Sequence, residues 1–349
     1  MNTSSANSSF IFPVIKLRDD QFTIFFNVSL TLCICISSLI LFVIILIAWN
    51  QRLRTGSGVL ILHQLIVEFQ LVAIHWPIFL WMLATSQHSG TSQTVTFCRH
   101  YHFSYMITVT ASLWGLAFLA LNRFVAIYLP FHYNKFISHM SLTIMIVLMW
   151  SIGFFTHLPF YLGAEGGFVP APPSGICSIY NQQSAMIYAL TNIPRTYLPL
   201  TFSALLYLLV FAKVGYAKWQ KVMVITPNRI NHIFFTASSN NANPGRKVNR
   251  ELYQNRVTMA RMLFIAAIIH CICFLTVPIG VTVAPGLYQR SPLYRNWLRT
   301  LFFVGYVSTP VLLLGMSKSH RDSAKRMLRH PLRPIVSAVA ANSAVAQFQ

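Results

Sequence analysis

Three groups of residues in this chain are of types that do chemistry inside apolar surroundings. Asn122-Arg123-Phe124 interrupts the apolar stretch Trp114–Tyr133, with Pro130 seven residues after the arginine. Glu68 stands alone as an acid within another apolar run, and Cys98 and Cys177 lie at the edge of a run and in a loop. An arginine at the end of an apolar helix either snorkels to an interface and orients the helix or engages polar groups on neighbouring helices. A carboxyl among apolar residues is costly. It reads either as a protonated, hydrogen-bonded packing group or as the wall of a pocket for a cation or a proton. Cys98 and Cys177 can close a disulfide only on an oxidising face; the alternative is two free buried thiols. The remaining cysteines form the pairs Cys33/Cys35 and Cys271/Cys273 inside apolar runs. Residues two apart on a helix point in nearly opposite directions, so neither pair chelates a metal alone. His75, His102, His157 and His270 lie on different runs and read as hydrogen-bonded core groups rather than metal ligands.

The elements that position these residues follow from composition. Of 349 residues, 55% are apolar and only 9% charged, against about 25% charged in a soluble domain. Such a chain cannot coat itself for water, and it reads as a membrane protein. Apolar runs near 22–49, 58–83, 98–128, 141–162, 184–212, 257–284 and 293–316 are each long enough to span a bilayer as a helix. Cys98 precedes Arg123 by twenty-five residues, about 37 Å of helix, so one rod can hold the cysteine at one membrane face and the arginine at the other. Seven spans put the two termini on opposite faces. Of 26 Lys and Arg, nineteen fall on one side and seven on the other; the positive-inside bias then puts the amino terminus outside. The net charge of +20 therefore reads as membrane orientation and attraction to anionic inner-leaflet lipids, not as a nucleic-acid surface.

The expected layout is an all-α membrane protein, a seven-transmembrane helix bundle with a short cytoplasmic amphipathic helix. Residues 1–21 form an extracellular tail, 22–316 the bundle, and 317–349 a cytoplasmic tail. The amino-terminal tail lacks the pattern of a cleaved signal peptide, and Asn2 and Asn7 open glycosylation sequons. The loop near 213–256 reads as a solvated linker with helical ends. Ser317–His330 alternates basic residues with Met327 and Leu328, as suits a helix lying on the inner interface. No internal repeat relates the two halves.

Five spans carry an interior proline, namely Pro77, Pro159, Pro199, Pro278 and Pro310. Each would break a helix in water and forms a hinge in a bundle whose neighbours satisfy the freed carbonyls. With these prolines in place the chain resembles the rhodopsin-like family of G-protein-coupled receptors over roughly residues 22–330. Asn122-Arg123-Phe124 stands where that family has Asp-Arg-Tyr. Trp150 matches its fourth-helix tryptophan, and Pro199 with Tyr207 its fifth-helix pair. Pro278 and Pro310 match the prolines of helices six and seven, and Glu68 stands where a buried aspartate is usual. Cys98 and Cys177 match the family's third-helix and second-loop cysteines, and so imply its disulfide. The departures are Thr309-Pro310-Val311-Leu312-Leu313 for Asn-Pro-x-x-Tyr, Thr276 for the tryptophan switch, and Asn122 for the acidic neighbour of the arginine. They resemble divergent orphan or invertebrate chemosensory members.

The resemblance implies an extracellular ligand, nucleotide exchange on a heterotrimeric G protein, and arrestin and receptor-kinase partners at the plasma membrane. It assigns activation roles to Asn122, Arg123, Phe124, Tyr207, Thr309 and Pro310, with Arg123 contacting helices five and six at rest. It groups Glu68, Ser112 and Thr309 as the cation or proton pocket. Tyr101, Tyr105, Arg195, Tyr197 and Arg299 are the candidate ligand contacts. Tyr105 replaces the aspartate of amine receptors, so a biogenic amine is disfavoured, while the arginines favour an anionic or lipid-like ligand; small molecules, lipids and peptides all stay open. No catalytic residue, metal site or cofactor is expected. Leu293–Met316 contains no lysine for a retinal Schiff base, and no His-Glu-x-x-His occurs. A transporter is disfavoured by the missing repeat. A scavenging seven-helix receptor without G-protein coupling is the main alternative.

Overall fold

The structure, a computed structural model, describes residues 16–51, 53–54, 56–90, 92–163, 166–171, 175–180, 192–228 and 244–329. Side chains are not described over 217–256 and at a few other positions, Pro278 among them. Asn2, Asn7 and the tail from 330 onward lie outside the described residues.

Seven long helices run in chain order: α1 Asp19–Trp49, α2 Ser57–Ser89, α3 Val95–Tyr128, α4 His139–Leu162, α5 from Ile193 to Asn228, α6 Pro244–Val283 and α7 Pro292–Met316. A shorter α8, Lys318–Arg329, follows. Six of the seven are long and apolar enough to cross a bilayer, and α6 carries the apolar section Arg261–Val277. The expected runs thus sit within helices, apart from 184–191, which lie outside the described residues, and residue 284, just past the end of α6. The helices overrun the hydropathic runs because backbone hydrogen bonding continues past the apolar section; α5 and α6 extend furthest.

Large apolar side chains such as Ile34, Val147, Phe155, Leu208 and Ile272 face outward on α1, α4, α5 and α6. Lipid is as apolar as they are, so helix association must come from close packing and polar contacts. Glycines supply some of that approach. A Cβ at Gly153 of α4 would lie 2.9 Å from the Ile107 carbonyl of α3, and one at Gly305 of α7 2.8 Å from Cys273 Cβ of α6.

The prolines act through their missing N–H. In α2 a π-helical turn covers Leu71–His75, where the Trp76 N–H reaches Leu71 O. Pro77 has no N–H to continue that ladder to Val72 O, and the Cys33 thiol of α1 donates there instead, at 3.2 Å. α5 repeats the device: the Leu198 N–H reaches Ile193 O across the π-turn Ile193–Tyr197. Pro199 leaves Pro194 O open, and Trp114 Nε1 of α3 fills it at 2.9 Å. Each helix is bent at a turn whose freed carbonyl becomes an interhelical tie. In α7 a 3₁₀ turn, Gly305–Val307, precedes Pro310, and Pro159 sits in the closing turns of α4 ahead of the left-handed Gly163. The backbone of α6 runs helical through residue 278.

One element was absent from the all-α expectation. Strands β1, Gly167–Ala171, and β2, Ile176–Tyr180, form an antiparallel hairpin between α4 and α5. Its signals were the turn residues after Ala171 and the short apolar content of Ile176–Tyr180, too short to register beside seven apolar runs. Cys177 of β2 is bonded to Cys98 in the first turn of α3, so the hairpin is fixed across that end of the bundle.

At the opposite end α8 packs against α1 and α7. Asn50 Nδ2 donates to Ser323 Oγ at 2.6 Å, and His320, nearly buried, has Nδ1 2.7 Å from Ser317 Oγ. Lys318, Arg321, Lys325, Arg326 and Arg329 are exposed. Burial pushes the His320 imidazole down to about 4. Undocked, it titrates near about 6.5, so between those values only the undocked helix binds the proton. Docking is therefore fully favoured above about 6.5 and is lost as pH falls toward 4, by at most about 1.4 kcal/mol per pH unit. A mobility probe on a Leu328→Cys variant is expected to loosen over that window and to stay flat when His320→Asn is added. Equal mobility from pH 7 to 4 in the variant that keeps His320 contradicts this.

Candidate functional site

Among the described residues, two polar regions within the bundle stand out, and α3 runs past both. The first opens at the disulfide end. A cavity of about 400 Å³ is enclosed by α2, α3, α5, α6 and α7 and bordered by Ile176–Ile179 of β2. All five expected ligand contacts line it: Tyr101, Tyr105, Arg195, Tyr197 and Arg299. Tyr101 and Tyr105, one helical turn apart on α3, stack with ring centroids 6.3 Å apart. The Tyr101 hydroxyl donates to His75 O at 2.9 Å, so Tyr101 offers the cavity its ring. Arg195 donates to Met106 Sδ at 3.5 Å and to Thr196 Oγ1 at 3.4 Å. The Arg299 guanidinium lies over the Phe79 ring, 5.3 Å from its centroid. Reading the sequence missed His102, Phe274, Phe302 and Phe303 as lining residues, since a helical stripe of aromatics is not distinguishable from ordinary core.

The second region is a closed polar cluster deeper in the bundle. Thr309 Oγ1 of α7 donates to Glu68 Oε1 of α2 at 3.0 Å. Gln64 Nε2 donates to the same oxygen at 2.9 Å and to Ser112 Oγ of α3 at 3.1 Å. The expected trio of Glu68, Ser112 and Thr309 is thus brought together, but Ser112 joins through Gln64, which sequence reading did not single out. Only the helical spacing of Gln64 and Glu68, four apart on one face, could have signalled it. The approach of α3 depends on Gly115, where a Cβ would lie 2.0 Å from Gln64 Oε1.

His270 of α6 closes the cluster, with Nε2 3.6 Å from Glu68 Oε1 and both side chains fully buried. Its Nδ1 lies 2.8 Å from Ala266 O and 3.1 Å from Ser308 Oγ. A carbonyl only accepts, so Nδ1 carries a hydrogen and Nε2 faces the carboxyl. Glu68 Oε2 has no hydrogen-bond partner among the described residues. His157 Nε2 lies 3.1 Å from Thr110 Oγ1, while its Nδ1 has no hydrogen-bond partner among the described residues. His75 departs from the expectation of a hydrogen-bonded core group, because neither ring nitrogen has a partner among the described residues; it packs instead on the rings of Tyr101 and Tyr105. No cluster suited to a metal ion occurs among the described residues.

Arg123 sits near the far end of α3, 4% exposed. Burial to that degree excludes the snorkelling alternative. Its Nη2 donates to Ser57 Oγ at the start of α2, at 3.1 Å. The hydrogen bond described goes to α2, a contact that the expectation of partners on helices five and six did not include. The Arg123 charge also reaches the buried Tyr207 of α5. The Asn122 side chain is fully buried, with neither amide atom partnered among the described residues. Phe124 stacks on Tyr128, whose hydroxyl donates to Leu209 O of α5 at 2.8 Å. Trp150 of α4 donates to His63 Nε2 of α2 at 3.0 Å.

One bundle of seven long helices thus carries a hairpin pinned by the disulfide beside a cavity, a buried polar cluster and an arginine towards the opposite end. Residues 41–311 match the family described as 7 transmembrane receptor (rhodopsin family). The chain belongs to that family and is a multi-pass membrane protein. It is similar to melatonin receptor type 1B-B of Danio rerio, at 21% identity over 291 residues, covering 83% of this chain and 76% of that one. Its fold is similar to the crystal structure of squid rhodopsin, with a TM-score of 0.70, 15% identity and 92% of each chain covered.

The cluster makes a stability prediction. Thr309→Val keeps the shape and removes the donor to Glu68, which leaves a buried carboxyl oxygen with one partner fewer. The expected loss is about 1–3 kcal/mol, read as a lowered unfolding temperature in detergent, with Thr309→Ser close to the parent. A Thr309→Val protein as stable as the parent contradicts the role of that bond.

Proposed function

We propose that this chain is a G-protein-coupled receptor of the plasma membrane, with its amino terminus extracellular. An agonist enters the disulfide-end cavity, and the arginine end of the bundle opens to promote nucleotide exchange on a heterotrimeric G protein. The observation that carries this reading is the position of α3. It bears Tyr101 and Tyr105 in the cavity wall, Ser112 in the polar cluster and Arg123 at the far end. A ligand shifts the resting and active populations only by its difference in affinity for them. Opening at α6 would separate His270 from Glu68, so the cluster sets part of the energy difference between the two states. Pro278 and the π-turns before Pro77 and Pro199 are the hinges of this reading, and Arg123 and Tyr207 would meet the partner once α6 moves. The basic face of α8 would lie on anionic inner-leaflet lipids, and arrestin and a receptor kinase would follow by family resemblance.

The relative's name speaks of melatonin, and that reading competes with the anionic or lipid-like ligand that the arginines favour here. The match to squid rhodopsin concerns the fold; Pro292–Met316 has no lysine, so a retinal Schiff base in α7 is excluded. A receptor that binds ligand without coupling is the second reading, favoured by Asn122 and by Thr309-Pro310 in place of the usual motifs.

Guanine-nucleotide exchange on purified heterotrimers, with the protein in lipid nanodiscs, separates the two readings. Basal exchange above the empty-nanodisc rate is expected, at least tenfold lower in Arg123→Ala. Asn122→Asp is expected to lower it as well, because a carboxylate would hold Arg123 in the resting contact. No exchange with any of several G-protein classes, with or without an agonist, overturns the coupling reading.

A further inference from the structure

We propose that the ligand of the disulfide-end cavity is an organic anion, whose carboxylate or comparable acid group sits between Arg195 and Arg299 with its apolar body against Tyr105 and Phe303. This rests on the receptor reading and names the chemistry that its cavity selects.

Both guanidinia line the cavity, and the charges of both bear on the buried ring of His102, so they approach one locality from α5 and α7. A guanidinium stays charged at any physiological pH, and the described partners of these two are neutral: a thioether and a hydroxyl for Arg195, an aromatic ring for Arg299. No acid lines the cavity among the described residues. The sequence leaves few acids to do so. Between Glu68 and Asp322 it has only Glu165 and Glu251. Glu251 lies in the far half of α6, and Glu165 lies outside the described residues. Glu68 is held in the deeper cluster, and Asp20 is paired with the exposed Arg18.

Two positive charges facing a largely apolar enclosure repel an ammonium and reward an anion, and Arg presents a fork that fits a carboxylate through two parallel bonds. Beyond the arginines, the walls are largely aromatic and aliphatic carbon with Tyr101 committed to His75 O, so the rest of the ligand is apolar. About 400 Å³ suits a compact body of one or two rings or a medium alkyl chain.

The test uses the full chain in phosphatidylcholine nanodiscs, which carry no net lipid charge. Equilibrium binding is measured for 1-naphthylacetate and for straight-chain carboxylates from hexanoate to dodecanoate. Each is compared with its primary amide and with the amine of equal length. The carboxylates are expected to bind at least tenfold tighter than the amides, with the amines weakest. Arg195→Gln and Arg299→Gln should each weaken carboxylate binding about tenfold while leaving the amides within about twofold, and Arg299→Lys should restore part of it. Retention of amide binding shows that each variant is folded. An amide or amine that equals its carboxylate, a carboxylate series with no binding member, or affinities unchanged in both Gln variants overturns the proposal. The receptor reading fails separately. A protein that catalyses exchange yet prefers the amide keeps its coupling function and loses the anionic ligand; one that binds carboxylates without exchange does the reverse.

Discussion

One carboxyl oxygen holds the middle of this bundle together. Glu68 Oε1 accepts from Gln64 of its own helix and Thr309 of α7, and faces His270 of α6, while Gln64 carries the link on to Ser112 of α3. In lipid there is no hydrophobic reward for bringing apolar helices together. A carboxyl buried this deeply is costly unless it is met by donors. Four helices are therefore obliged to converge at one point, and Gly115 of α3 is the small residue that allows the convergence. Everything that must differ between the two ends of the molecule is separated by this point.

The same logic of obligatory pairing explains the bends. Each proline in α2 and α5 removes an N–H, the backbone widens into a π-turn, and the carbonyl left over is claimed by a neighbour, Cys33 in one case and Trp114 in the other. A deformation of one helix thereby becomes a contact between two. These ties and the disulfide gather at the cavity end of the bundle, where ligand contacts have to be held in place. At the arginine end Arg123 donates to Ser57 Oγ, Tyr128 and Lys213 tie α3 to α5 through the carbonyls of Leu209 and Ile127, and the Asn122 amide is unpartnered among the described residues.

Much of the fold was legible in the sequence because lipid imposes one rule, that a span be apolar for about 20 residues. Seven runs obeyed it. Residues whose type is expensive in that setting were equally legible, so Glu68, Arg123 and the prolines stood out. What hid was whatever looks ordinary by composition. Gln64 and His270 complete the cluster, yet a single amide or imidazole on a helix carries no signal until the neighbouring helix is placed. The hairpin Gly167–Tyr180 was too short and too close to turn residues to compete with the helical runs. Arg123 was legible as a charge at the end of an apolar span, but its contact with Ser57 was not, because Ser57 lies sixty-six residues away and only the packing of α2 on α3 brings it near.

The central claim, that Glu68 and His270 tie α2 to α6, is tested most directly by a double-mutant cycle on unfolding temperature in detergent. Glu68→Leu, His270→Leu and the double variant are compared with the parent. If the two side chains face each other as described, each single change removes the polar neighbour that the other faces across the α2–α6 contact, and the double variant loses markedly less than the sum of the singles, by about 1 kcal/mol or more. Losses that simply add would mean the two groups do not act on one another, and the cluster would then hold α2, α3 and α7 without α6.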